Sequence, residues 1–322
     1  MIIGIQNVTV YPNGELSNDD YHGEKYKDYA SGSELFNIFA ECPADAHFGE
    51  KEQSAALHFG TASHAAMLEP DLFEEQFARK ITKSDDENYL TSDAGIKKFI
   101  KDHGIPGYSN KPFYELVQRA INIDPDVKIL ALDDRIQELN CEEKQITLVK
   151  GEDHDNIMQM RRALFADESN LELFKGATVE TSIFCELLIN DVWHKVKVRP
   201  DIITHDCVVP DYKTTARMNP EQFARQAHEA GYWFKQAFTC DILSAVYSKH
   251  FKAALLAQGK KSPFIHQLYY LTDEQLQVGR EQYISALIRF DQCKKTDVWP
   301  AYFDGPVNLP TSDYIAKRYG FN

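Results

Sequence analysis

Residues 178–215 limit the folds open to this chain more than any other segment. Upstream of it, from residue 84, apolar residues recur mostly at helical spacing; at Thr178 the period becomes that of strands. Val179 to Leu187 reads as one strand, Asn190-Asp191 as a turn, and Trp193 to Arg199 alternates as a half-buried strand does. Ile202 to Tyr212 contains the next strand, with a His205-Asp206 turn ahead of Cys207-Val208-Val209. The pattern predicts a three-stranded antiparallel meander. Arg199-Pro200-Asp201 ends the second strand, and ten residues further on Asp211-Tyr212-Lys213 lies on the third. Residues two apart on a strand share a face. Asp211 and Lys213 therefore project together, and Asp201 is expected in the same pocket.

The flanking segments complete an α/β pattern. A strand is predicted from Ile2 to Val10, followed by a Pro-Asn-Gly turn at 12–14. Ser33 is the expected N-cap of a helix running to about Cys42. His58 to Glu69 reads as a second helix stopped by Pro70, and Asp71 to Lys80 as a third. Residues 84–176 read as a charged helical insertion, with helical spacing at Ile96–Ile100, Tyr114–Ile121 and Ile157–Phe165. Pro220 opens a helix or helix pair from Glu221 to His250, with a break at Gly231. Phe264–Tyr270 follows as a strand and Glu274–Cys293 as a helix. The expectation is one domain, residues 1–322, whose sheet and core span 177–295 and whose central mixed sheet is flanked by helices.

Composition narrows the function classes. With 322 residues, 43% of them hydrophobic, the chain can bury a large core. No run of 18 apolar residues is present, so no membrane span is expected. The opening Met1–Ile5 lacks the basic region and cleavage site of a secretory signal. The six cysteines form no C-x-x-C pair, which removes zinc ribbons and iron–sulfur clusters; reduced thiols in a cytoplasm fit best. A net charge of −14 argues against a protein that coats nucleic acid. It does not argue against an enzyme that needs a few cations in a channel and carboxylates for a metal.

Asp201, Asp211 and Lys213 fit phosphodiester hydrolysis. Mg²⁺ prefers a few carboxylates plus water and phosphate oxygens, and two such ions can activate a water and stabilise both reacting oxygens. The Lys213 ammonium can steady the water and the phosphate. A surface charge pair is the commoner meaning of an isolated D-x-K, so further elements matter. Gly60-Thr61-Ala62-Ser63-His64 puts Gly60 and His64 on one helix face. The glycine is expected to let the helix approach the sheet, and His64 to reach the metal pocket; the competing reading is a structural histidine. Glu180 is a candidate extra carboxylate, but Glu186 has the same strand parity. Tyr232 and Gln236, four apart, can face DNA or the pocket edge, or simply solvent. Gly259-Lys260-Lys261-Ser262 is too incomplete for a phosphate loop.

Taken together, these stretches resemble the RecB-like branch of the PD-(D/E)XK nucleases, and within it the exonuclease VIII (RecE)-like phage and prophage exonucleases. The resemblance runs through Ser33-Glu34-Leu35, Phe59–Pro70, Glu180-Thr181-Ser182, Lys197–Asp201, Asp211–Thr215 and Trp299-Pro300, with Tyr21-His22 at the front. It implies Mg²⁺-dependent 5′→3′ digestion of linear double-stranded DNA, with Mn²⁺ substituting and two ions per site. It also implies a 3′ tail for a single-strand annealing partner, a ring-like homo-oligomer and a host cytoplasm. His64, Asp201 and Asp211 become the implied metal ligands, with the Tyr212 carbonyl beside them. Lys213 becomes the catalytic lysine, and Glu180 is preferred over Glu186. Arg199, Thr214, Tyr232 and Gln236 are candidate DNA contacts. One departure stands out: the branch often carries Q-x-x-x-Y after the sheet, whereas Gln236 is followed four residues later by Cys240. A nuclease with single-strand, flap or endonucleolytic preference, or a non-catalytic DNA-binding or assembly protein on the same fold, are the alternatives.

Overall fold

The structure is a computed structural model, and it describes residues 2–50 and 54–320. The first half of the chain runs β1 (Ile2–Tyr11), α1 (Asn18–His22), β2 (Ala30–Ser31), α2 (Gly32–Ala40), α3 (Pro43–Phe48), α4 (Ala55–Leu68) and α5 (Pro70–Gln76). Next come β3 (Phe77–Arg79), α6 (Asp93–Asp102), α7 (Phe113–Ile123), α8 (Leu130–Lys144), β4 (Thr147–Val149), α9 (Gly151–Phe165) and α10 (Glu168–Phe174). The strand-rich part holds β5 (Thr178–Val179), β6 (Ser182–Ile189), β7 (Val192–Val198), β8 (Ile202–Ile203) and β9 (Val208–Thr215). It closes with α11 (Pro220–Glu229), α12 (Tyr232–Tyr247), β10 (Lys252–Gly259), β11 (His266–Tyr270), α13 (Asp273–Thr296) and α14 (Asp313–Tyr319).

The fold is mixed α/β, with mixed sheets flanked by helices. Among the described residues the largest sheet has the order β1-β6-β7-β2 and the next β11-β10-β9, with two-stranded pairs β3-β4 and β5-β8 beside them. β6 and β7 form the expected hairpin, turned by Asn190 and Asp191 at φ 49° and 61°. Two consecutive residues with positive φ suit the right-handed twist of the strands they join. The expected meander, however, stops there. β9 leaves β7 and pairs in parallel with β10, from Val208↔Lys252 to Thr215↔Gly259. β10 is a strand that the periodicity did not disclose. Its sequence, Lys-Ala-Ala-Leu-Leu-Ala-Gln-Gly, is buried at seven of eight positions. A strand covered on both faces has no reason to alternate, and its alanines imitate a helix.

Other boundaries shift for local reasons. Ser31, not Ser33, caps α2, because its hydroxyl accepts from the Glu34 N–H. Pro43 and Pro70 each start a helix rather than only ending one, which suits a residue lacking an N–H. The predicted third helix ends at Gln76, and its last residues become β3. Gly231 (φ 69°) separates α11 from α12, as the sequence suggests.

Two large cores meet at β9. Val209 joins a cluster with Leu35, Ile183, Phe238 and Tyr283, beneath α2, α12 and α13. Tyr212, of opposite parity, joins Ala62, Ala66, Met160 and Leu256 beneath α4 and α9. A third, separate cluster of Ile96, Ile100, Leu116, Val117, Ala120 and Ile129 lies within α6, α7 and the segment leading to α8. The chain enters that region from β3 and returns through β4, which pair in parallel.

Candidate active site

β7 ends at Val198, and Pro200, which lacks an N–H, carries the chain out of the ladder so that Asp201 sits in the turn before β8. The Asp201 carboxylate then crosses to β9 and accepts the Tyr212 N–H at 2.7 Å. This bond joins the two sheets at the site. Asp211 and Lys213 share a face as expected, with Lys213 Nζ 2.7 Å from Asp211 Oδ1 and 3.7 Å from Asp201 Oδ2. Lys213 also donates to the Tyr212 carbonyl at 3.1 Å. The Tyr212 phenol points the other way and donates to Gln258 on β10 at 2.7 Å, and Gln258 donates to the Met160 carbonyl on α9 at 2.8 Å.

His64 arrives from α4, with Nε2 3.1 Å from Asp201 Oδ2 and 3.6 Å from Glu180 Oε1. Glu180 sits between β5 and β6 at φ 50°, its N–H bonded to the Asp201 carbonyl at 3.3 Å. A non-glycine residue at positive φ is uncommon and costs backbone energy. Here it turns the side chain toward Asp201 and His64. Ligand atoms of His64, Glu180 and Asp201 lie within 4.8 Å of one another. Glu186 lies elsewhere, opposite Lys195 on β7, and accepts from the Gln6 amide at 2.8 Å.

Electrostatics in this cluster are dominated by excess negative charge in a dry place. Burial, reinforced by the Asp201 charge and opposed by His64, pushes Glu180 up to about 8. Burial alone would lower His64, but Asp201 and Glu180 overcome it and raise the imidazole to about 9. Asp211 is raised to about 6 by burial and the Asp201 charge, with Lys213 opposing. Burial would also raise Asp201, yet Lys213, His64 and the Tyr212 N–H hold it well below the usual carboxylate range. Burial works to lower Lys213, but Asp211 and Asp201 raise it, so it stays an ammonium. The set fits a divalent cation by one direct observation: Glu180 Oε1 is buried without a hydrogen-bond partner. An imidazole and two carboxylates form a suitable donor set for such an ion.

Two clefts open onto this cluster. One, about 330 Å³, is lined by Ser31, Gly32, Asp211, Lys235 and Gln236, among others. The second, about 590 Å³, is lined by Gly60, His64, Glu69, Gln76, Thr214 and Tyr232. Asn18, Glu180, Arg199 and Lys213 border both. The role expected of Gly60 needs correction. A side chain there would meet nothing within 4 Å, so Gly60 faces the cleft, and the close packing of α4 comes from Ala62 and Ala66.

The remaining candidates are distributed unevenly. Thr214 and Tyr232 line the larger cleft, with the Lys213 ammonium 5.6 Å from the Tyr232 ring centre. Gln236 is buried, borders the smaller cleft, and accepts from the Cys240 thiol at 3.9 Å. It therefore does not share a solvated face with Tyr232. Arg199 is largely engaged by the protein: it donates to Ser182 at 2.7 Å and to the Leu16 carbonyl at 3.2 Å, and lies over the Tyr21 ring. Sequence reasoning overlooked Lys235 and Glu69. Lys235 borders the smaller cleft, where burial lowers its pKa; a lone lysine in the apolar run of α12 was the available signal.

Mixed sheets flanked by helices, with a carboxylate-lysine strand and a helix-borne histidine, define a PD-(D/E)XK-type α/β protein. Residues 32–306 match the family described as "PDDEXK-like domain of unknown function (DUF3799)". The chain belongs to that family, and through it to the PD-(D/E)XK nuclease superfamily. Its fold is similar to the crystal structure of a "Putative exonuclease" from Eubacterium rectale, at TM-score 0.55 and 14% identity over 92% of this chain and 96% of that one. The structure of SSO0001 aligns at 14% identity over 75% of this chain and 96% of that one, but at TM-score 0.25, too low to bear on the fold. No curated protein matches the sequence. Among the described residues, no helix is long and apolar enough to cross a membrane.

Proposed function

We propose that the protein is a Mg²⁺-dependent exodeoxyribonuclease that digests linear double-stranded DNA from 5′ ends, of the exonuclease VIII (RecE)-like kind. One observation carries the reading: the His64, Glu180 and Asp201 ligand atoms converge, with an orphaned Glu180 oxygen, beside Lys213 and between two clefts. The similarity in fold to a protein named as an exonuclease supports it.

His64, Glu180 and Asp201 would hold the cation, with Asp211 alongside. Bound there, the cation supplies Lewis acidity at the phosphate and makes a water more acidic. The chain's own groups do the rest. Lys213, held as an ammonium, exchanges its bond to Asp211 for one to the phosphate or the attacking water. Asp201 stays fixed by the Tyr212 N–H, so the ligand geometry is set before substrate arrives. A 3′ single-stranded product for an annealing partner, and a ring-like homo-oligomer in a host cytoplasm, complete this proposal.

The test is digestion of end-labelled linear and closed circular duplex with Mg²⁺ and with Mn²⁺. Release of the 5′ label first, retention of the 3′ label and an intact circle are expected. A cut circle would make the enzyme an endonuclease. Absence of hydrolysis with either ion would remove the nuclease reading.

A further inference from the structure

Within the region between β3 and β4, one stretch is basic. Residues 93–123 carry five Lys or Arg against three Asp or Glu, in a chain of net charge −14. α6 buries Ile96 and Ile100, leaves Lys98 and Lys101 exposed, and holds Lys97 half-buried beside them. Spacings of three and four place these lysines along one stripe of the helix. None of the three has an ion-pair partner among the described residues, whereas Lys111 is paired with Glu115 at 2.9 Å. The helix dipole explains cations only in a last turn, and Lys97 and Lys98 lie in the middle of α6. Asp102, at the very end, has the wrong sign for that explanation.

The chain enters this region through a strand tied firmly to α8 and α9. Arg79 at the end of β3 bonds Asp85 at 2.7 Å and Asp155 at 2.8 Å. Lys80 bridges Asp134 and Glu138, and Gln137 returns two bonds to the backbone at Arg79 and Ile81. β3 begins at Phe77, and Leu72, Gln76 and Phe77 line the larger cleft beside His64 and Glu180. The strand through which the chain enters this region thus starts at the wall of the larger cleft, and α6 packs against α7 in the separate small core beyond it. Between α6 and α7, Ile105, Pro106 and Gly107 are exposed, Gly104 (φ 75°) and Gly107 (φ 80°) bend the chain, and Arg119 of α7 donates to the Pro106 carbonyl at 3.2 Å.

We propose that Lys97, Lys98 and Lys101 on α6 form a second DNA site, which holds the phosphate backbone of uncut duplex outside the cleft. The proposal rests on the nuclease reading for the identity of its ligand. A convex stripe of lysines offers point charges to phosphates and no groove for bases, so the contact is independent of sequence and sensitive to salt. It also answers how so acidic a protein keeps hold of a polyanion: the attraction is concentrated on one helix.

The test uses the full chain with Lys97→Gln, Lys98→Gln and Lys101→Gln combined, and the matching triple Arg variant. Affinity for fluorescent duplex is measured in EDTA, which separates binding from hydrolysis, over a range of salt. The Gln variant should bind about tenfold or more weakly, with the slope of log K against log salt reduced by about three. The Arg variant should bind as the wild type does. In Mg²⁺ the Gln variant should show a raised KM with kcat little changed. Equal duplex affinity of wild type and Gln variant, or a loss confined to single strands, overturns the proposal. If wild type binds duplex through these lysines but hydrolyses no DNA, the nuclease reading fails while this site stands.

Discussion

The carboxylate cluster and the α6–α7 region are built on opposite terms. In the first, His64, Glu180, Asp201, Asp211 and Lys213 are all largely buried, and each is held by another. Their charges do not cancel, and the excess is taken up as protons on Glu180 and His64. In the second, the three lysines of α6, none of them ion-paired among the described residues, lie over a small core of their own. Buried charge is geometrically exact but costly, and it suits chemistry. Exposed charge is cheap and imprecise, and it suits holding a long, uniform polyanion.

The contrast can be broken from either side. The largest expected effect is that of Lys213→Ala, which should lower DNA hydrolysis on the order of a thousandfold or more. Duplex affinity in EDTA should change little, as measured beside it; a parallel loss of binding would merge the two regions into one site. Next is Leu116→Ala, which removes a fully buried side chain from the small core and should cost about 2–4 kcal/mol there. Hydrogen exchange should quicken in residues 93–132, while Mn²⁺ affinity by calorimetry stays unchanged. An equal fall in metal affinity would show that the two regions unfold together. Smaller again, Glu180→Gln should weaken Mn²⁺ binding about tenfold or more, and Glu186→Gln should not. Similar losses from both would point away from the Glu180 cluster.

The smallest expected effect concerns pH. Glu180 and His64 have folded values of about 8 and 9, both above their ordinary ones. Their protons therefore favour the folded chain at low pH, and that contribution fades as pH rises through those values. The metal-free protein should melt at a lower temperature at pH 9 than at pH 6, and Mn²⁺ should offset the difference by replacing the protons. Melting curves at both pH values, with and without the ion, check this; a metal-free protein more stable at pH 9 would contradict the proton inventory.

Much of the site was legible because its signals are local. Asp211 and Lys213 share a face by strand parity alone, and Asn190-Asp191 announces the β6–β7 hairpin. What escaped depends on partners far away in the chain. β10 could not be read because both of its faces are covered. Without it, β9 seemed to continue the meander rather than start a parallel pair. Glu180 and Glu186 were equal by parity; they separate only because Glu180 leaves the strand at positive φ. Lys235 showed nothing beyond its type, since its place at a cleft wall is set by the packing of α12 against α2 and α13. The helical spacing of 84–176 was visible, but the division was not: α6 and α7 have their own core, whereas α9 belongs to the core under α4.

The two bonds of Tyr212 have one more consequence. Its N–H fixes Asp201 while its hydroxyl, through Gln258, reads the position of α9. One side chain and its own N–H thus tie the carboxylate of Asp201 to the helix α9 on the far side of the sheet, so that under the proposed function the seating of α9 and the geometry of one ligand would be set together.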